Sequence, residues 1–327
     1  MWKLRSNVSS SSPAFSAGRI ENKKHNINER SPAEMWGFFG EREMEKVQIT
    51  IDQHTTPRCY LKNFSEDGTF IYRKRKETHT REESKRNSEL KRPLSLNSAT
   101  IEEHFYTVNS IANSMLIEKD IYANTIENEY TSIYDFLTNP SIQEFDMEQR
   151  TKMFFFFMTL HTRTPKQFEL FSKQIPLDFH FEIDKIKEDY KVAHIIRIAD
   201  ALVKEHGFKT VSILKLTDSS EFITSDNPVL IVGLDNQLKN NEWQQHFNSD
   251  NLIFIPIDRK HCCVLSEFKD KNGIPAKNRV FINRISRADV DVSFASQVNL
   301  LMLDSADKCY LGSKQFMGSF FELLKFV

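Results

Sequence analysis

His54, Glu127, Arg163 and Asp226 are the side chains whose types and settings best suit chemistry in this sequence. His54 stands before a proline-fixed turn, His54-Thr55-Thr56-Pro57, at the end of a predicted strand. A neutral imidazole held there can act as a general base or bind a metal near neutral pH. It can equally cap the turn with hydrogen bonds. Asp226 follows the apolar Phe222-Ile223-Thr224 and precedes Asn227-Pro228. The proline bars Asn227 from helical backbone, so the chain leaves the strand sharply beside the carboxylate. Such a carboxylate can ligate a metal or serve as an acid, or it can close an Asx-turn onto nearby backbone N–H groups.

Glu118 and Glu127 fall in a helix predicted over 117–137. Their nine-residue spacing sets them about 180° apart on a straight α-helix, so they share a pocket only if the helix breaks near Asn124. Glu118 lies on the apolar stripe of Tyr122 and Ile126, while Glu127 neighbours Tyr130 and Tyr134. A carboxylate so placed needs a partner, and Arg163 supplies one. Two readings stay open: a structural Glu–Arg pair, or a Glu on a metal with Arg163 holding an anionic substrate. The metal set expected under the second is His54, Glu127 and Asp226, around Mg²⁺ or Mn²⁺. His161 and His194 sit at helical positions among apolar neighbours and are expected to be packed histidines.

The elements that must position these residues show in the periodicity. Val47–Ile51 alternates as a strand, Ser65–Gly68 is a turn, and Phe70-Ile71-Tyr72-Arg73-Lys74 alternates again. Thr100 with Glu103 predicts a capping box ahead of a helix. Asn139-Pro140 closes the 117–137 helix, and Asp146 with Gln149 caps the next, which runs to about His161 and is ended by Pro165. Its Phe154–Met158 run is apolar on every side, which places this helix in the core. A further amphipathic helix spans 185–206 and stops at Gly207. Beyond it, V-S-I-L-K-L and E-F-I-T-S-D-N-P-V-L-I-V read as two adjacent strands, N-L-I-F-I-P-I-D and C-C-V-L-S as two more. Residues 286–306 suit a helix and K-C-Y-L-G-S a last strand. The fold expected is α+β: a helical middle with mostly antiparallel strands from both ends, in a single domain over 44–327.

Two segments carry a resemblance. His54-Thr-Thr-Pro57-Arg-Cys-Tyr60-Leu61-Lys-Asn-Phe64 resembles the opening H-x-x-P-x-x-Y-L-x-x-F of the bacterial domain-of-unknown-function family 4238, and Phe222-Ile-Thr-Ser225-Asp226-Asn227-Pro228-Val229 resembles its second signature. Between them a Glu-containing helix and the exit Arg163-Thr164-Pro165 match in order, and Ile255-Pro256-Ile257 does so after them. The similarity covers roughly residues 50–313. It implies no established activity, only which positions to examine.

Composition narrows the classes. With 44 basic against 45 acidic residues the net charge is −1, so binding to nucleic acid must come from a local patch. Residues 73–92 hold nine Lys or Arg against four Glu, which suits either a solvated loop or a phosphate-contacting segment. Nine glycines and no glycine-rich loop leave nothing for a Rossmann or P-loop reading. The four cysteines form no C-x-x-C pair, and Cys262 and Cys263 must point to opposite faces of a strand. A structural role in a reducing cytoplasm is expected. No stretch approaches the ~20 apolar residues of a membrane span, and the 27 phenylalanines read as core material. Residues 1–43 lack periodicity and are expected to be disordered. Gly40-Glu41-Arg42-Glu43 can be encoded by a purine-rich string like a translated ribosome-binding site, which predicts Met44 as the native start. The function expected is a metal-dependent phosphodiester hydrolase, a nuclease-like toxin or antiviral effector. The alternative is a non-catalytic binding module whose polar signature residues are structural.

Overall fold

The computed structural model describes residues 52–76, 93–107, 116–174, 184–267 and 281–318. The chain divides after Glu43, and every described element belongs to the unit Met44–Val327. The expected strand at 47–51, the expected disorder of 1–43 and most of the basic segment 73–92 lie outside the described residues.

Strand β1 (Asp52–His54) runs into Pro57, whose φ of −59° sets the entry to helix α1 (Arg58–Leu61) and the 3₁₀ turn Lys62–Phe64. Tyr60, Leu61 and Phe64 are fully buried by that turn. The alternating strand β2 (Phe70–Arg75) follows, then β3 (Leu94–Ser95) and β4 (Ile101–Glu103). The capping box expected at Thr100–Glu103 does not form. Thr100 donates its hydroxyl to the Thr56 carbonyl at 2.9 Å, and Ile101–Glu103 pairs antiparallel with β1 as a strand.

The expected helix over 117–137 is three windings in series: a π-helix over Leu116–Ile126, a 3₁₀ turn over Glu127–Glu129, and helix α2 (Tyr130–Thr138). It ends where Asn139, before Pro140, becomes extended. Helix α3 (Met147–Thr162) opens with the Asp146–Gln149 capping box, both halves of which are made. Met153, Phe154, Phe156, Phe157, Met158 and Leu160 are all buried, so α3 is covered all round. Pro165 does not end this helix. It opens the next, α4 (Pro165–Ser172), from the first turn, where its missing N–H goes unneeded. Helix α5 (Asp184–His206) packs on α3 and stops before Gly207.

The last third holds β5 (Thr210–Leu216), β6 (Thr224–Ser225), β7 (Leu230–Val232), β8 (Leu252–Pro256), β9 (His261–Ser266), β10 (Ile285–Val290), helix α6 (Val292–Ser305) and β11 (Cys309–Gly312). A five-stranded sheet runs β10-β5-β9-β8-β7 and a four-stranded one β3-β2-β11-β6, while β1 and β4 make a pair. Only β10 and β5 are parallel among these neighbours. The β8–β9 hairpin is the one the sequence predicts. The adjacency of V-S-I-L-K-L and the next strand is not: β5 pairs with β9 and β10, while β6 and β7 belong to different sheets. Residues 286–306 are likewise divided, a strand to Val290 and a helix only after Asp291, whose carboxylate caps Ser293 and Phe294. The chain is an α+β protein, and among the described residues no helix is long and apolar enough to cross a membrane.

Candidate functional site

Three of the expected site residues, His54, Glu127 and Arg163, meet at the exit of α3. Arg163 is the C-cap of that helix and is fully buried. Its Nη1 donates to Glu127 Oε1 at 2.7 Å, and its Nη2 donates to the His54 main-chain carbonyl and stands 3.6 Å from Glu118 Oε2. Two aromatic faces cover the guanidinium: the Tyr122 ring centroid lies 4.2 Å from Cζ and that of Tyr106 5.5 Å. The Tyr106 hydroxyl donates to the Arg163 carbonyl. Arg163 thus ties β1, the π-helix and the loop after β4 to one point.

Glu118 and Glu127 reach the same guanidinium because of the π-helix. An i→i+5 winding closes nine residues in roughly two turns, so residues opposed on an α-helix come to share a face. Their side chains keep 14% and 20% exposure against 1% for Arg163, so the two glutamates are the partly exposed members of the cluster. Burial pushes the Glu118 carboxyl above its ordinary value, and Glu127 adds to the rise, while Arg163 and the His54 backbone oppose it. Burial lowers His54, with Arg163 adding to the fall and Glu127 opposing it. The shift favours the neutral imidazole. Cys59, on α1, is pushed up to about 12 by burial and by Glu127. Three buried atoms at this cluster lack a hydrogen bond: His54 Nε2, Glu118 Oε2 and Arg163 Nε.

Asp226 sits elsewhere in the same joint. Its Oδ1 accepts from the backbone N–H of Asp307 at 2.9 Å, and Oδ2 accepts from Lys308 at 2.6 Å and Cys309 at 3.1 Å. Both oxygens are spent holding the start of β11. Burial raises this carboxyl while the three N–H donors oppose the rise. Asn227 beside it accepts from the Thr164 hydroxyl at 3.1 Å and donates to the Ser305 carbonyl and hydroxyl at 3.0 and 2.9 Å. Asn240 donates to Val229 and Ser305 and receives Ile231 N–H. The turn at which the chain passes from one sheet to the other is thus a buried, hydrogen-bonded network.

A family model described as "Protein of unknown function (DUF4238)" matches residues 52–314. The chain belongs to this family. The span runs from β1 to just past β11, so the family's shared part takes in every element that reaches Arg163 or Asp226. Comparison with curated proteins finds no match, and neither does comparison with solved structures.

The expected metal set is not assembled. Among the described residues no group of three His, Cys, Asp or Glu is placed to hold a metal ion, and the Asp226 oxygens are occupied by backbone donors. Two participants that sequence reasoning passed over are Thr164, which joins the Arg163 exit to Asn227, and the Tyr106–Tyr122 pair, stacked edge-to-face at 4.9 Å. Only Thr164 carried a signal, as the central residue of Arg163-Thr164-Pro165. His161 and His194 were expected to be packed. His161 is fully buried, with Nε2 2.7 Å from His246 Nδ1, and His194 is half-buried.

Proposed function

We propose that this chain works as a binding module, and that His54, Glu127, Arg163 and Asp226 build the joint which holds its helices against its strands. The observation that carries this reading is the state of Arg163: wholly buried, roofed by two tyrosine rings, with both Nη atoms engaged by groups of the chain. A guanidinium so spent has no fork to offer a phosphate. The saturated carboxylate of Asp226 supports the same reading. The partner best suited to the sequence is nucleic acid, met through the basic segment 73–92, whose residues 73–75 lie on β2. Such binding is electrostatic and weakens steeply with added salt.

A second reading, phosphodiester hydrolysis, is favoured by one observation. His54 Nε2 is a buried nitrogen without a hydrogen bond, close enough to Glu127 and Arg163 to feel both charges. His54 as base and Glu118, whose carboxyl burial raises, as acid would make a general acid–base pair. The donor set does not fit Mg²⁺ or Mn²⁺, so no step is routed through a metal.

Calorimetric titration of Mn²⁺ into the full chain and its Glu127→Gln variant separates the two. No saturable heat, together with salt-sensitive binding of a labelled oligonucleotide and no cleavage of it, is the result expected. Saturable Mn²⁺ binding that Glu127→Gln removes, or oligonucleotide cleavage that His54→Gln removes, overturns the module reading.

A further inference from the structure

A second arginine, Arg150 in the first turn of α3, is as buried as Arg163 but has no carboxylate partner among the described residues. It is 1% exposed. Its Nε donates to the Gly207 carbonyl at 2.7 Å, its Nη1 to Ile282 at 2.8 Å, and its Nη2 to Lys209. A guanidinium carries five N–H groups, so three engaged donors leave two without an acceptor among the described residues. The carbonyls of Gly207 and Lys209 lie just past the end of α5 and lend it the negative end of that helix dipole. A dipole end is a fraction of a charge, and burial alone draws this arginine down to about 10, with no charged neighbour offsetting it.

Arg150 lines a cavity of about 370 Å³ between α3 and α5. The remaining walls are mostly hydrocarbon: Met147, Phe154, Val203, Phe208 and Phe281, with Thr151 among them. Lys204 stands at the edge, and among the described residues no acidic one lines the space. Phe208 and Phe281 stack at 4.4 Å, and the Arg150 guanidinium lies 5.0 Å from the Phe154 ring and 5.6 Å from that of Phe281. Met147 and Phe281 remain 41% and 43% exposed, so two of the largest apolar side chains left in water sit on this rim.

We infer that this cavity is a binding site for a small apolar monocarboxylate, whose hydrocarbon body fills the Phe–Val–Met walls while its carboxylate meets Arg150. Charge complementarity selects the occupant: Arg150 lines the space with two N–H donors that have no acceptor among the described residues, and Lys204, paired at 2.8 Å with Asp200, adds a cation at the rim. The volume lies at the lower end of the range for small-molecule sites, which suits one compact ligand and excludes a peptide. A carboxylate is the group that a guanidinium binds in a planar, charge-assisted fork. The inference shares no residue with the Arg163 joint and stands apart from the module reading.

Octanoate and octanol, titrated calorimetrically into the full chain, test it. Octanoate is expected to bind saturably at one site, with octanol about tenfold weaker for want of the charge-assisted bond. Val203→Trp, which fills the cavity and leaves the bonds of Arg150 in place, is expected to abolish octanoate binding without lowering the melting temperature. Three results overturn the inference: no saturable heat from octanoate in a cooperatively melting protein, equal affinity for octanol, or unchanged binding in Val203→Trp.

Discussion

Glu118 and Glu127 converge on one guanidinium although they would stand on opposite sides of an α-helix. The π winding of Leu116–Ile126 brings them together, and Arg163 repays the cost of that winding with two ionic contacts and two aromatic ones. Removing the arginine strands two half-buried carboxylates and the His54 carbonyl. Arg163→Met is therefore expected to lose about 3–5 kcal/mol of unfolding free energy in urea melts. A loss within about 0.5 kcal/mol, the range of ordinary surface changes, would show that the cluster is not the joint described.

Glu118 gives that joint a pH dependence of definite sign. Its carboxyl is raised above the ordinary 4.5, so the folded chain holds this proton more tightly than the unfolded one. The contribution is fully present below 4.5 and is lost as pH rises through the folded value. Glu118→Gln, which cannot ionise, is expected to gain stability relative to the parent chain as pH rises across that window. Urea melts of both proteins at several pH values check this, and a difference that shrinks with pH contradicts it.

Asp226 holds the start of β11 through three backbone donors, and both oxygens must accept. Asn presents an NH₂ where one of them stands, setting donor against donor. Asp226→Asn is expected to cost about 1–3 kcal/mol, seen as a lower urea midpoint with unchanged slope. Under a metal-ligand role the same variant would instead lose Mn²⁺ affinity while keeping its midpoint.

Much of this was legible because it is local. The Asp146–Gln149 box, the all-apolar Phe154–Met158 run and Gly207 each fix their element through neighbours a few residues away, and the β8–β9 hairpin declares itself by two apolar strands around a short turn. What stayed hidden depends on distant partners. Ser225 and Leu230 lie five residues apart yet enter different sheets, because the network through Asn227, Ser305 and Asn240 turns the chain between them. Strand β10 buries only Ile285 fully and shows no alternation, so its pairing with β5 left no periodic trace. The winding of Leu116–Ile126 is set by what Glu118 and Tyr122 find at Arg163, and no spacing within the helix announces that. At the site, the family of Glu118, Glu127 and Arg163 contacts was expected, while the saturation of Asp226 by β11 depends on residues some eighty positions away.

Burial is the first cause of the shift at three of the thiols. Cys262 and Cys263 are fully buried on opposite faces of β9, and burial raises both, as it raises Cys59 to about 12. None forms a disulfide. The nucleophile toward disulfide reagents is the thiolate, so these three are expected to stay unmodified by dithionitrobenzoate at pH 8 in the folded chain and to react on addition of urea. Fast modification of Cys59 in the native state would mean that the Glu127–Arg163 cluster opens.

A chain of buried histidines sets the acid limit of the fold. His246 Nε2 lies 3.2 Å from the Asn240 carbonyl and so carries the proton there, which leaves Nδ1 to accept from His161 Nε2 at 2.7 Å. His206 reaches the His246 carbonyl at 2.6 Å. Among the described residues no carboxylate appears in the contacts of His161 or His246. Burial accordingly lowers His246 from 6.5 to about 4 and His161 well below its ordinary value, with His246 and His206 adding to the fall at His161. Between about 4 and 6.5 the unfolded chain binds more protons than the folded one, so stability falls as pH falls through this window. For His246 alone the loss is on the order of 3 kcal/mol, complete once pH drops below its folded value. Urea melts from pH 7 down to pH 4 should show this decline, and His246→Gln, which has no proton to gain, should flatten it. A parent chain equally stable at both ends would mean that the histidines already share a proton in the folded state.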